Sequence, residues 1–243
     1  MIPLDAGDWD PAFTGVRPPV FVNVVRQQDY SFREGRGQAK KGRFCSDTGT
    51  MQKMTSKVIV GISGASGAIY GWRLLERLRG QGTVEVHLVL TRSGEKTLFL
   101  ETGKSAAEAR SLSDFSYSLE DIGSRLASGS CRMDAMVVAP CSIHTMSAIA
   151  GGISSNLLIR AADVMLKERR KLILMVRETP FHVGHLRNMT ALAEMGAIIA
   201  PPIPGFYHSP QTVMDIVDHS VDRVLDLMGI VDPEVRRWDG VGR

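Results

Sequence analysis

The sequence predicts an α/β protein built on a doubly wound, mostly parallel sheet. From Lys57 onward, short continuous apolar runs alternate with amphipathic stretches, as successive βαβ units require. The first run, VIVGI at 58–62, is continuously apolar as a doubly covered strand should be, so helices are expected on both faces. The segments that follow the runs are polar and distinctive, and in open α/β sheets ligands bind outside the carboxyl ends of the strands.

Residues 58–62 (VIVGI) form the first expected strand, broken by Ser63-Gly64-Ala65-Ser66-Gly67 and followed by a helix over 68–79. A second strand is expected at 84–91 and a short helix at 94–101. Residues 105–131 show no clean period and are assigned to helix in pieces. Strands at 135–139, 172–176 and 197–200 alternate with helices at 157–170 and 185–195. The last helix, 211–228, carries Val213, Ile216, Val217, Val221, Val224, Leu225 and Met228 as an i, i+3, i+4 stripe.

The 243 residues are 44% hydrophobic and 23% charged, the composition of an ordinary globular protein. A net charge of +3 leaves no basic footprint for nucleic acid. Cys45, Cys131 and Cys141 have no CxxC spacing, which speaks against a disulfide scaffold or structural zinc and fits a reducing compartment. Residues 135–159 contain no Asp, Glu, Lys or Arg and are long enough to span a bilayer. Pro140, Ser142, His144, Thr145 and Asn156, with Gly151 and Gly152, would bring too many polar groups and breaks into hydrocarbon. That stretch is expected inside the fold or between subunits, and neither a membrane span nor a signal peptide is expected.

The first segment differs from the rest. No leucine occurs between Leu4 and Leu74, and residues 35–42 (GRGQAKKG) have the composition of a flexible tail. Residues 1–56 are therefore expected to be a disordered extension or a mis-called start, with Met54 as the initiator. Residues 57–230 are the expected working domain and 231–243 a C-terminal tail.

Five strand-end segments are the places to look for chemistry: 63–67, 91–93, 140–145, 177–180 and 201–210. The first is a glycine loop opening a helix, able to hold an anionic or polar group or to serve as a plain tight turn. Its glycines, Gly61, Gly64 and Gly67, are spaced GxxGxxG, and the second strand ends without an acid for a ribose hydroxyl, which argues against NAD and for a mononucleotide or flavin. Hydroxyls at Ser142 and Thr145 either cap the next helix or grip a ligand. His144 alone is more often a capping or surface residue than a catalyst, and Cys141 more often a buried small residue than a nucleophile. Arg160 and Lys167, two helical turns apart, either clamp one anion or form a solvated basic face. Arg177-Glu178-Thr179-Pro180 sets a cation and a carboxylate at a strand end, with Thr capping and Pro opening the next helix; a local salt bridge is the other reading. The proline-stiffened loop 201–210 positions Tyr207, and Arg223 lies on the polar side of the last helix, within reach of Asp226 or His219.

At GISGASGAIYG, APCSIHT, NLLIRAADVMLKERR, RETPFHVGHLRNM and PPIPGFYHSP, in this order, the sequence resembles the UbiX flavin prenyltransferase family. The stretch YSLEDIGSRLASGS is similar to the branch of that family that is counted as the second subunit of aromatic (phenolic) acid decarboxylases. The resemblance implies a flavoprotein-like three-layer sandwich that binds FMN, needs no metal, works in the cytoplasm and assembles as a homododecamer. The implied reaction joins a dimethylallyl group from dimethylallyl phosphate to reduced FMN, at N5 and then C6, for use by a UbiD-type decarboxylase. Gly64, Ala65, Ser66, Thr91, Ser142, Ile143, His144, Thr145 and Arg177 are then the flavin-contacting residues, although position 144 varies in the family. Arg160, Lys167, Tyr207 and Arg223 match the prenyl-phosphate clamp, Glu178 the acid-base carboxylate and Ser66 the hydroxyl beside flavin N5. Direct FMN-dependent decarboxylation of a hydroxyaromatic acid, and a non-catalytic flavin-binding accessory role, are the alternatives.

Overall fold

The computed structural model describes residues 56–230. In chain order these form β1 (Ser56–Ile62), α1 (Ala68–Gln81), β2 (Val84–Leu90), α2 (Arg92–Thr102), α3 (Ala106–Ser111) and β3 (Phe115–Tyr117). A turn of 3₁₀ helix at Arg125–Ala127 leads to β4 (Ala135–Cys141), α4 (Ile143–Ala150), α5 (Leu157–Lys167), β5 (Lys171–Val176), α6 (Val183–Glu194), β6 (Ile198–Ile199) and α7 (Val213–Met228). The expected boundaries at 1–56 and 231–243 lie outside the described residues, except that Ser56 already belongs to β1.

All neighbouring strands are parallel, in the order β3-β2-β1-β4-β5-β6. The chain winds outward from β1 to one edge, then returns to lay β4 on the other side of β1. The connections leaving β1 and β4 therefore diverge, and a crevice opens between them at the carboxyl edge.

Side chains alternate between two covered faces. Val58, Val60, Ile62, Val137, Ala139, Ile173 and Met175 pack with α1 and α7 in one apolar layer. Ile59, Met136, Val138, Cys141, Leu172, Leu174 and Val176 pack with α4, α5 and α6 in the other. Two covered faces explain the near-continuous apolar strand text.

Several expected boundaries move for identifiable reasons. Helix α2 starts at Arg92, before the expected 94, because the Thr91 hydroxyl accepts from the Gly94 N–H at 2.9 Å. Helix α6 starts at Val183 with His182 as its cap, so Thr179 and Pro180 precede the helix and do not open it. Helix α5 stops at Lys167, before the expected 170, and Arg169 turns to a φ of 53°. The chief correction is β3, found where helical pieces were expected. Three residues carry no usable period; the strand is fixed by tertiary contacts instead. Buried His87 bonds the Tyr117 hydroxyl at 2.9 Å and Glu85 at 2.8 Å, and stacks on Phe115.

The uncharged stretch 135–159 becomes a wholly buried strand, a helix, a short connection and the opening residues of α5. No helix among the described residues is long and apolar enough to cross a membrane.

Candidate functional site

At the crevice, the end of β1 is fastened to the end of β4 by one small residue. Ser63 is 1% exposed; its hydroxyl donates to the Pro140 carbonyl at 2.9 Å and accepts the Ser142 N–H at 2.8 Å. A backbone bond from the Ser63 N–H to the same carbonyl adds a third tie. Ser63→Ala leaves a buried N–H without its acceptor and removes the hydroxyl tie between the loops. A loss of about 1–3 kcal/mol is expected on chemical denaturation.

The glycine loop is shaped by close approach. A Cβ at Gly64 would lie 2.4 Å from the Ser93 Cβ, so the loop meets the start of α2 there. Gly67 caps α1 from the left-handed region and offers no side-chain acceptor. That function falls to Glu101, near the end of α2: its Oε2 accepts the N–H groups of Gly67 and Ala68, each at 2.8 Å. Burial opposes ionisation of Glu101. Hydrogen bonds from Ser66, Ala68 and Gly67, with the positive field of Arg177, outweigh it and hold the carboxyl below its ordinary range. The loop thus binds an anionic group already, through N–H donors and the dipole of α1.

Arg177 follows β5, anchored by its N–H on the Cys141 carbonyl at 3.1 Å. Its guanidinium makes no hydrogen bond or ion pair among the described residues. Its charge reaches Tyr70 on α1 as well, opposing the burial that pushes that hydroxyl up. Glu178 is half-buried, with Oε1 accepting its own chain's Thr179 N–H at 2.9 Å. The side chains of Ser66, Glu101, Tyr70 and Arg177 are thereby gathered around one rim.

On the β4 side, the Ser142 hydroxyl donates to Thr145 Oγ1 at 3.1 Å and accepts the Thr145 N–H at 3.3 Å, capping α4. Thr91 and Ser142 are both helix caps whose orientation is fixed before any ligand arrives. Thr145 is buried, Ile143 half-buried and His144 exposed. Burial pushes the Cys141 thiol up to about 12, which leaves it inert as a nucleophile.

The four residues of the expected phosphate clamp are spread over elements on both faces of the sheet. Arg160 and Lys167 sit on α5, on one face of the sheet, with Lys167 at the helix end that leads back to the start of β5. Arg160 donates to the Ala127 carbonyl and pairs with Asp163 at 2.6 Å, while Lys167 pairs with Glu168. Arg223 sits on α7, on the opposite face, and makes neither a hydrogen bond nor an ion pair among the described residues. Tyr207 is 60% exposed, and its hydroxyl bonds His219 Nε2 at 2.7 Å.

Glu101 and Tyr70 were not singled out by the sequence, while Ser63 entered only as the start of the 63–67 segment and His219 only as a neighbour of Arg223. Ser63 had a usable signal, since it is the first polar residue after an apolar strand at the switch point. Glu101 had none, because it meets Gly67 across 34 residues of chain.

A family model described as Flavoprotein matches residues 47–225. The flavin prenyltransferase UbiX of Escherichia coli K12 is 52% identical over 186 residues, covering 76% of this chain and 98% of that protein. UbiX of Thauera aromatica is 50% identical over 184 residues, covering 76% and 94%. Among solved structures, a dodecameric FMN-dependent UbiX-like decarboxylase from Escherichia coli O157:H7 superposes with a TM-score of 0.74 at 48% identity, covering 76% of this chain and all of that one. AnUbiX (PadA1), solved with FMN and dimethylallyl pyrophosphate, gives a TM-score of 0.75 at 41% identity, with 77% of this chain and 100% of that chain covered.

Proposed function

The chain belongs to the UbiX family of flavin prenyltransferases, and on that footing we propose that it joins the dimethylallyl group of dimethylallyl phosphate to reduced FMN, at N5 and then C6. The observation that carries the reading is the crevice between β1 and β4. An ionised Glu101 holds Ser66 and the N-terminus of α1 there, beside the uncommitted guanidinium of Arg177.

The donor set fits a flavin. Gly64, Ala65 and Ser66 present a tight loop to its face, and Thr91, Ser142, Ile143, His144, Thr145 and Arg177 border the crevice with groups suited to its polar edge. Reduced FMN, when bound, would supply the electron-rich N5 and C6, which the two ends of the allyl unit would join. Ser66 lies beside N5 in this reading, its hydroxyl oriented by Glu101. Glu178, or the released phosphate, would give a proton to the double bond of the transferred prenyl group and accept the one that leaves C6.

Departure of an allylic phosphate leaves a cation-like fragment, so the site must stabilise the leaving group and exclude water. Arg160, Lys167, Arg223 and the Tyr207 hydroxyl supply that stabilisation, and no metal is part of the reading. Since α5 and α7 lie on opposite faces of the sheet, the clamp is complete only where two copies meet. A homo-oligomer, with the dodecamer as its expected form, follows from that need. The product is handed to a UbiD-type decarboxylase in the cytoplasm.

Anaerobic incubation with reduced FMN and dimethylallyl phosphate is expected to yield a flavin heavier by one prenyl unit on mass spectrometry. Recovery of unmodified FMN from flavin-loaded protein would sink the proposal. Glu178→Gln is expected to keep FMN bound while slowing product formation by about a hundredfold or more.

A further inference from the structure

Tyr207 faces solvent on a proline-rich loop, yet its hydroxyl is held. The 2.7 Å bond to His219 Nε2 crosses from the loop to α7, and the two rings meet edge to face at 5.3 Å. His219 is in turn backed by His208, stacked at 4.2 Å with an interplanar angle of 14°. Gly205 makes the meeting possible, because a Cβ there would come within 3.1 Å of both His219 Cε1 and Tyr207 Cε1. One turn further along α7 is Arg223, which lines the same small cavity of about 90 Å³ as His219, Pro201 and Pro202.

A hydroxyl has one proton, so its direction matters for an anionic ligand. The oxygens of a leaving phosphate accept hydrogen bonds, so Tyr207 can serve them only if its own proton points away from His219. We propose that His219 is a positioning residue: its Nε2–H donates to the Tyr207 oxygen and turns the Tyr207 O–H outward as a donor to the leaving phosphate. The inference rests on the reading of Tyr207 as part of the phosphate clamp. Burial, helped by the neighbouring His208, holds His219 below the ordinary imidazole range, so it acts as a neutral ring with one N–H. The alternative tautomer would draw the Tyr207 proton inward and present only lone pairs to the phosphate.

The test compares steady-state prenylation by the full chain as Tyr207→Phe, His219→Leu, His219→Gln and the double variant Tyr207→Phe/His219→Leu, with thermal unfolding of each. Tyr207→Phe and His219→Leu are each expected to lower kcat/KM for dimethylallyl phosphate about tenfold, the worth of one hydrogen bond to a charged group. The double variant should be no worse than Tyr207→Phe alone. His219→Gln, which restores a side-chain N–H donor, should recover most of the loss without a matching rise in Tm. Additive losses in the double variant, a His219→Leu variant as active as the parent, or a His219→Gln variant as impaired as His219→Leu would overturn the positioning role while leaving the clamp intact. A Tyr207→Phe variant with unchanged kinetics would overturn the clamp reading itself, and this inference with it.

Discussion

Lys167→Ala and Arg223→Ala are each expected to cut prenylation by more than about a hundredfold, because in the proposed clamp each supplies a fixed charge to the leaving phosphate. Co-expressed in equal amounts, the two inactive chains should regain activity. Lys167 ends α5 on one face of the sheet, and Arg223 lies on α7 on the other. In the proposed reading the clamp draws them from different copies, as subunit interfaces in closed oligomers permit. With random mixing, about a quarter of the sites then receive both intact residues. Activity of the purified mixed oligomer, measured against each single variant, reads the result. A mixture as inactive as its parents would mean that one copy supplies both residues, against the composite clamp.

The second large effect concerns stability and reaches the site through packing. Gly71→Val is expected to destabilise the protein by about 3 kcal/mol, near the upper end for overpacked cores, lowering Tm by roughly 6–12 °C for a domain of this size. A Cβ at Gly71 would lie 2.2 Å from the Ala139 carbonyl oxygen and 3.0 Å from Ile62 Cδ1. The nearer atom is strand backbone and cannot swing aside, so α1 must lift from β4. The N-terminus of α1 carries the contacts of Glu101 with Gly67 and Ala68, so FMN affinity should fall along with Tm. Gly80→Ala, in the same helix, is the control: nothing lies within 4 Å of its added Cβ. There the gain in helix propensity should raise stability by about 0.5–1 kcal/mol. Equal Tm values for the two variants would contradict the close approach of α1 to β4.

Much of the architecture was legible because it depends on local pattern. The apolar runs at β1, β2, β4 and β5 identify themselves, since a strand covered on both faces must be apolar nearly throughout. Helix α7 announces itself through its apolar stripe. The three-residue β3 does not, because its place is set by buried His87 on the neighbouring strand and not by any period of its own. Thr179 and Pro180 looked like the opening of α6, yet the His182 ring took the capping position three residues later.

The same division runs through the site. Sequence alone determined the fold class and pointed to the residue types of the proposed chemistry: a glycine loop opening a helix, hydroxyls after the strands, an Arg-Glu pair, and four groups suited to a phosphate. Those features are local, and each strand end carries its own. Tertiary structure decided which of them meet. It brought Glu101 from the far end of α2 onto the start of α1, fastened β1 to β4 through buried Ser63, set His219 against Tyr207, and put Lys167 and Arg223 on opposite faces of the sheet. Strand order is the physical reason. Hydrogen bonding between distant segments sets which loops adjoin, and no spacing along the chain encodes it.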